Sequence, residues 1–474
     1  MRNNGSNGKN KNDLWALLTL LFGNKNTLWC VTSLITQQLI VAISTVLIIH
    51  LGSAIANHAF PVDTLILFVS SLFIVYIPGI TSLIYLEKSK FTAINQYILK
   101  FCEKVSGRAS LYNNTRYRHE QEPWLTNEGN LVIGETSVLA YNWLSTFLNA
   151  FLNILVIGAA ISSWLIAAYL ISFSLLLLCL HFSKNHIQTT ASEFQTNRNK
   201  MNQSLLSGWD NILISNKYNL AFWKKLFSQN WQEAQKSAVK YEYITNLTSS
   251  IAMALALLPI AIVTILFFYI NHNNYGALAA LIVTLPRQIQ IIQNIFAVFS
   301  HAVAWTGIKT KLAGLAASLD LPSQQEAIDS KITWQHLSFN EESALPHFDS
   351  IDSLLKHIDT KKSGRITLRG PNGAGKSVLL SLIKERMGER AIFIPINSRL
   401  SFSSTEHSSL SQGEKMKYAI EEISHTILPG SLLLLDEWDA NLDQNNIAII
   451  SAKLAALSET ITLIEVRHRN PPAI

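Results

Sequence analysis

The sequence predicts a multidomain membrane protein: an all-α half of six spanning helices, then an α/β domain built around a phosphate-binding loop. Two observations predict it, six apolar stretches of membrane length and the run Gly370-Pro371-Asn372-Gly373-Ala374-Gly375-Lys376-Ser377 behind them. Composition agrees. Across 474 residues 49% are hydrophobic and 15% charged, and mean hydropathy is +0.21, high for a soluble chain. The net charge of +6 is scattered through loops between apolar stretches, so no nucleic-acid partner is expected. Cys30, Cys102 and Cys179 lack paired or metal-like spacing and read as single thiols.

Residues 1–13 form a polar, Asn-rich tail with no apolar core and cleavage site, so no cleavable signal peptide is expected. Leu14-Trp15-Ala16-Leu17-Leu18 opens a helix too short to span, suited to the membrane interface. The membrane domain is set at 14–309. Crossing the hydrocarbon core takes roughly twenty apolar residues. Six stretches qualify, near 28–56, 62–86, 136–159, 162–183, 246–270 and 276–306.

Lysine and arginine set the orientation. The connection after the second stretch carries Lys88, Lys90, Lys100, Lys104, Arg108, Arg116 and Arg118. The connection after the fourth carries eight more, from Lys184 to Lys240, and the other three carry none. The long basic loops, both termini and the phosphate loop are therefore expected on the cytoplasmic side. Both loops can be written as helices, giving two hairpins whose tips, near Leu111–Tyr117 and Ser207–Leu213, are expected to reach the nucleotide domain. In the sixth stretch Arg287, Gln290, Asn294 and His301 share one helical face behind Pro286. A charge this deep is a functional-site hypothesis by default, and Arg287, Gln290 and Asn294 are the candidate substrate-cavity residues. The rival reading pairs Arg287 with a neighbour and puts His301 outside the bilayer.

A linker is expected over 310–328 and the α/β domain over 329–474, with strands at Ile332–Phe339, Ile366–Arg369 and Ala391–Ile394. The loop Gly370–Ser377 fits G-x-x-x-x-G-K-[ST], whose glycines let backbone N–H groups approach phosphates. Lys376 is expected at the β- and γ-phosphates of ATP, and the Ser377 hydroxyl on Mg²⁺. The following helix puts its positive N-terminus at the anion. Leu432-Leu433-Leu434-Leu435 then ends in Asp436-Glu437, a strand delivering one carboxylate to the Mg²⁺ shell and a second, Glu437, as general base.

Between these lies Leu410-Ser411-Gln412-Gly413-Glu414, which resembles the signature pentapeptide of ATP-binding-cassette transporters. With it, the chain resembles an exporter-type half-transporter of that family, six spans fused to one nucleotide-binding domain. The resemblance implies that Ser411 and Gly413 contact the γ-phosphate held by a partner's loop. It makes Asn441-Leu442-Asp443 the D-loop, with Asp443 at the nucleotide, and His468 a second catalytic residue. Two departures stand out. Asn397 takes the place of the family's Mg²⁺-contacting glutamine. Only thirty-two residues separate Ser377 from Leu410, so the family's helical subdomain is shortened. Phe348 is a distant candidate for the adenine-stacking aromatic. Trp438 is similar to a branch that exports cyclic peptides or siderophores, and is equally readable as a packing choice.

One loop and one signature per chain imply a symmetric homodimer with two shared ATP sites. The leading expectation is an ATPase in a bacterial cytoplasmic membrane, exporting a peptide or other amphipathic molecule. A lipid or lipid-linked glycan flippase is an alternative. So is a non-transporting membrane protein whose cassette binds ATP as a regulatory ligand.

Overall fold

A computed structural model describes residues 15–320, 331–340, 348–361, 363–396, 398, 400–403, 412–440 and 442–467. The chain divides into two compact units, one of Met1–Gln96 with Leu131–Gly314, the other of Tyr97–Asn130 with Leu315–Ile474.

The first unit is helical. A short helix at 15–22 (α1) precedes α2 (Lys25–Ala56), whose start is fixed by Asn24 accepting from the Thr27 N–H at 3.0 Å. Then come α3 (Val62–Ile74), α4 (Tyr76–Val105), α5 (Thr115–Pro123), α6 (Gly129–Ala160), α7 (Ser163–Leu206), α8 (Gly208–Ile214), α9 (Lys217–Ile270) and α10 (Tyr275–Ser318). Part of α4 and all of α5 belong to the second unit. Five helical segments are long and apolar enough to cross a membrane. They become six if Ser163–Cys179 and His181–Ile214, bent by 42°, count as one span. At most 24% of any span's most apolar window is buried inside the chain. Such faces require an apolar surrounding, and the chain has the make-up of a multi-pass membrane protein. Ile49, Ile157, Leu165, Tyr169, Leu176, Ala256, Ile291 and Ile292 form the packed centre of this unit.

The second unit holds the one sheet found among the described residues. Its strands are β1 (Ser338–Asn340), β2 (Gly364–Arg369), β3 (Ala391–Ile394), β4 (Leu432–Asp436) and β5 (Thr462–Val466), in the order β1-β2-β5-β4-β3. Only the β1–β2 pair is antiparallel. Four helices flank it: α11 (Ile351–Thr360), α12 (Lys376–Met387), α13 (Gln412–Thr426) and α14 (Gln444–Ser458). Both faces are covered, as the apolar run of β4 requires. Leu432 and Leu434 pack with Leu379 and Ile383 of α12, while Leu433 and Leu435 pack with Ile420 and Ile423 of α13 and Leu454 of α14.

These observations correct the fold class expected from the sequence. Among the described residues about 81% are helical and there is a single small five-stranded mixed sheet, too few strands for a full cassette-type domain behind a six-span membrane half. The physical reason is where the residues go. Helices α7 and α9 run for 44 and 54 residues, about 66 and 81 Å at 1.5 Å per residue, far beyond a ~30 Å hydrocarbon core. The strands are only three to six residues long. The strand expected over Ile332–Phe339 is likewise corrected. Trp334–His336 winds into a 3₁₀ turn, leaving Ser338–Asn340 to pair with β2.

Candidate functional site

Strand β2 ends at Arg369 and α12 starts at Lys376, so Gly370–Gly375 must reverse the chain between them. Glycine is required twice. Gly375 has φ +88°, and a Cβ there would lie 2.6 Å from the Lys331 carbonyl oxygen. At Gly370 a Cβ would lie 2.8 Å from that of His336. The turn is closed by the Ala374 N–H donating to Pro371 O at 3.2 Å and anchored by Thr333 N–H to Ala374 O at 3.1 Å. Pro371, Asn372 and Gly373 are exposed while Ala374 is buried. No side chain caps α12, which leaves its first-turn amide groups open to an anion. Lys376 Nζ donates to the carbonyls of Gly370 at 2.8 Å and Pro371 at 3.2 Å, at the mouth of this loop.

The acid pair sits at the end of β4. Asp436 is 2% exposed, Ser377 hydrogen-bonds its carboxylate, and its Oδ1 has no hydrogen-bond partner. Burial pushes this carboxyl above its ordinary range, and the neighbouring Glu437 charge adds to the push. The Ser377 bond and the Lys376 charge pull the other way. An ionised carboxylate with an idle, buried oxygen suits a small hard cation. Ser377 and Asp436 give it two oxygens. Among the described residues no group of three or more His, Cys, Asp or Glu side chains stands ready to hold a metal. The remaining ligands of such a cation would be water and phosphate, the usual habit of Mg²⁺. Glu437 follows at φ +44°, its N–H donating to Val466 O at 3.0 Å.

The other expected site residues fall differently. Asp443 caps α14, its Oδ1 accepting from the Asn446 N–H at 2.7 Å. Gly413 lies in the first turn of α13. Asn397, Ser411, Asn441 and His468 lie outside the described residues. Phe348 is corrected from a stacking aromatic to a core residue, 5% exposed and edge-on to Phe339 at 5.1 Å. In the membrane unit Arg287 donates to Gln290 Oε1 at 2.6 Å on the same helix. Asn294 joins a polar chain through three helices. It donates to Asn149 Oδ1 at 2.7 Å, and Asn149 donates to Gln38 Oε1 at 2.8 Å.

Two features of the second unit add residues that the sequence reading did not name, the first at a hairpin tip that was expected to reach this domain. The first is the tip of the hairpin between the second and third spans, a 3₁₀ turn at Ala109–Asn113. Asn113 Nδ2 donates to Ser377 O at 2.9 Å and lies 3.3 Å from Ser381 Oγ. The Ser110 N–H donates to Glu385 Oε2 at 2.9 Å, with Arg108 3.8 Å from the same carboxylate. The tip is thus bonded to both ends of the phosphate-loop helix. The second is Glu465, the lone acid in the apolar strand β5 and 1% exposed. It accepts from Arg365 Nε at 3.0 Å and Nη2 at 2.9 Å, Thr367 Oγ1 at 3.1 Å and Trp438 Nε1 at 2.9 Å. Arg467 Nε lies at 3.2 Å. Burial pushes its carboxyl upward, but Arg365, then Arg467 and Trp438, outweigh burial and hold it below the ordinary carboxylate range. An acid flanked by apolar residues and followed by Val466-Arg467 was the only signal available in sequence.

A carboxyl held low when folded contributes stability above its ordinary range, lost as pH falls through the lowered value. Glu465→Gln, which strands two guanidiniums, should cost about 3–5 kcal/mol near neutral pH. In thermal unfolding of the full chain the deficit should be largest near neutrality and shrink in acid. A deficit independent of pH would show that the carboxylate charge is not what matters.

No family model matches this chain and no curated protein matches it, so the reading of the site rests on its own residues.

Proposed function

We propose that the chain is an ATP-driven membrane transporter that exports a peptide or other amphipathic molecule and works as a homodimer. The observation that carries this reading is the bonding of the Ala109–Asn113 tip to the phosphate-loop helix within one compact unit. A loop that only held a nucleotide would have no need of a membrane hairpin fastened to its first helical turn.

In this reading Gly370–Ser377 cradles the phosphates of ATP, and Lys376 exchanges the loop carbonyls for the β- and γ-phosphate oxygens. Ser377 and Asp436 would hold Mg²⁺, which when bound neutralises phosphate charge. Glu437 takes the proton from a water that forms a bond to the γ-phosphorus, while the bond from that phosphorus to the β-γ bridging oxygen breaks. ADP and phosphate leave. Asn113, bonded to the Ser377 carbonyl, carries any movement of that turn into the hairpin. ATP can shift the helices only by binding one arrangement better than the other. The homodimer follows from one phosphate loop and one Leu410–Glu414 segment per chain, the latter acting on the partner's loop by resemblance. The Lys and Arg bias supports a bacterial cytoplasmic membrane with both termini and the ATP site inside.

The small sheet favours a second reading, in which ATP is a bound regulatory ligand and is not consumed. Hydrolysis separates the two. Purified protein in lipid should hydrolyse ATP, and Glu437→Gln should lower turnover by roughly 10²–10⁴-fold while nucleotide still binds. Equal background rates for the two proteins would support the regulatory reading and end the transport proposal. Asn113→Ala should keep nucleotide affinity but reduce the stimulation of hydrolysis by added peptide or lipid. Unchanged stimulation would show that the tip does not couple the two processes.

A further inference from the structure

The residue after the general base is a tryptophan, and its surroundings explain why. Trp438 is 3% exposed, and its indole N–H donates to Glu465 Oε2 at 2.9 Å. The Arg467 guanidinium lies over its ring, 5.2 Å from the centroid. Arg467 Nη2 also donates to Ser451 Oγ at 3.0 Å, which ties the group to α14. Glu465 is in turn held by Arg365 and Thr367 of β2. The indole is therefore fastened to a cluster that joins β2, β5 and α14.

Glu437 needs such a fastening. Its φ of +44° is a left-handed conformation that a residue with a side chain rarely adopts, because its Cβ crowds the backbone. That conformation persists only when the surroundings fix it. On one side Glu437 is fixed by its own N–H, donating to Val466 O at 3.0 Å. On the other, the next residue is Trp438. An apolar side chain of similar size would fill the space between Leu435, Leu442 and Ile450 of the same core, but would leave the turn free to rotate about that filling. The directed N–H bond to an immobile carboxylate removes that freedom.

We propose that Trp438 is a positioning residue for the hydrolytic step: its indole N–H, held by Glu465, fixes the strained turn that aims Glu437 at the water beside the phosphate loop. This rests on the reading of the chain as an ATPase with Glu437 as base. Trp438 is itself buried, 3% exposed. Its effect passes wholly through Glu437, which makes it separable from a packing role.

The test is a cycle of four full-length proteins in lipid: wild type, Trp438→Phe, Glu437→Gln and the double variant. ATP hydrolysis is followed by release of labelled phosphate, with nucleotide affinity measured in parallel. Trp438→Phe keeps an aromatic six-membered ring and loses the pyrrole ring with its N–H. It should lower kcat roughly 10- to 100-fold, the scale of a small misplacement of a reacting group, with KM and nucleotide affinity unchanged within about twofold. In the Glu437→Gln background the same change should do nothing further, since the group it positions is gone. Wild-type turnover in Trp438→Phe, or an equal factor lost in both backgrounds, overturns the proposal. Equal rates in wild type and Glu437→Gln sink instead the ATPase reading beneath it. If Trp438→Phe does not fold, site-specific benzothienylalanine at the same position keeps the ring's shape and replaces only the N–H with sulfur. The same loss of kcat is expected, and full activity overturns the proposal.

Discussion

A carboxylate can be kept out of water in the middle of a sheet only if its oxygens are met by donors, and Glu465 is such a carboxylate. It sits on β5, between β2 and β4, and receives bonds from Arg365, Thr367 and Trp438 with Arg467 alongside. The donors come from two different pieces of the site's scaffold. Arg365 and Thr367 lie on the strand that feeds the phosphate loop, while Trp438 lies just past the strand that delivers Asp436 and Glu437. One buried charge cluster therefore sets both halves of the candidate site in register. Replacing it by apolar residues of similar volume need not cost stability, because buried ion pairs return little net energy. What such a cluster supplies here is direction. Apolar packing fills the space between strands, while hydrogen bonds to a fixed carboxylate say where each turn must point.

The phosphate loop is fastened at its other end by the hairpin tip. Asn113 and Ser110 bond the first and last turns of α12, so the helix with the uncapped N-terminus is held at both ends. Among the described residues no α-helix lies between β3 and α13, and these bonds join α12 to the segment between the second and third spans. The second tip, near Ser207–Leu213, belongs to the other unit, where Trp223 Nε1 donates to Ser204 O at 2.8 Å.

Local chemistry in this chain was legible and long-range arrangement was not. Gly370–Ser377 and the Leu432–Asp436 run declare themselves because glycine spacing and an apolar strand ending in acids are local signals, and both form where their residues lie. The spans were legible by length and apolarity, though the bend between Cys179 and His181 leaves the fourth dependent on how that pair is counted. The size of the sheet was not legible, since Ile332–Phe339 carries strand-like residues that wind instead into a turn at Trp334. Phe348 looked available because an aromatic beside a loop carries no mark of the core it enters against Phe339. That the first hairpin tip would reach this domain was legible, but the particular bonds of Asn113, Glu385 and Glu465 were not, for a related reason. Their partners lie from 27 to 275 positions away, and nothing in their neighbours announces a bond over that separation.

The central claim is that the hairpin tip is seated on the phosphate-loop helix. It is tested most directly by a cross-link between Asn113→Cys and Ser381→Cys, in a full-length chain whose three native cysteines are replaced by serine. Asn113 Nδ2 lies 3.3 Å from Ser381 Oγ, so the two side chains meet, and a short bifunctional thiol reagent makes up the difference in length between asparagine and cysteine. Mild oxidation, or a short bifunctional thiol reagent, should link the pair in membranes, while a control pairing Ser381→Cys with Ala455→Cys on α14, on the opposite face of the sheet, should not cross-link. If the 113–381 pair closes no better than that control, the tip does not rest on the helix, and the link between phosphate loop and hairpin falls with it.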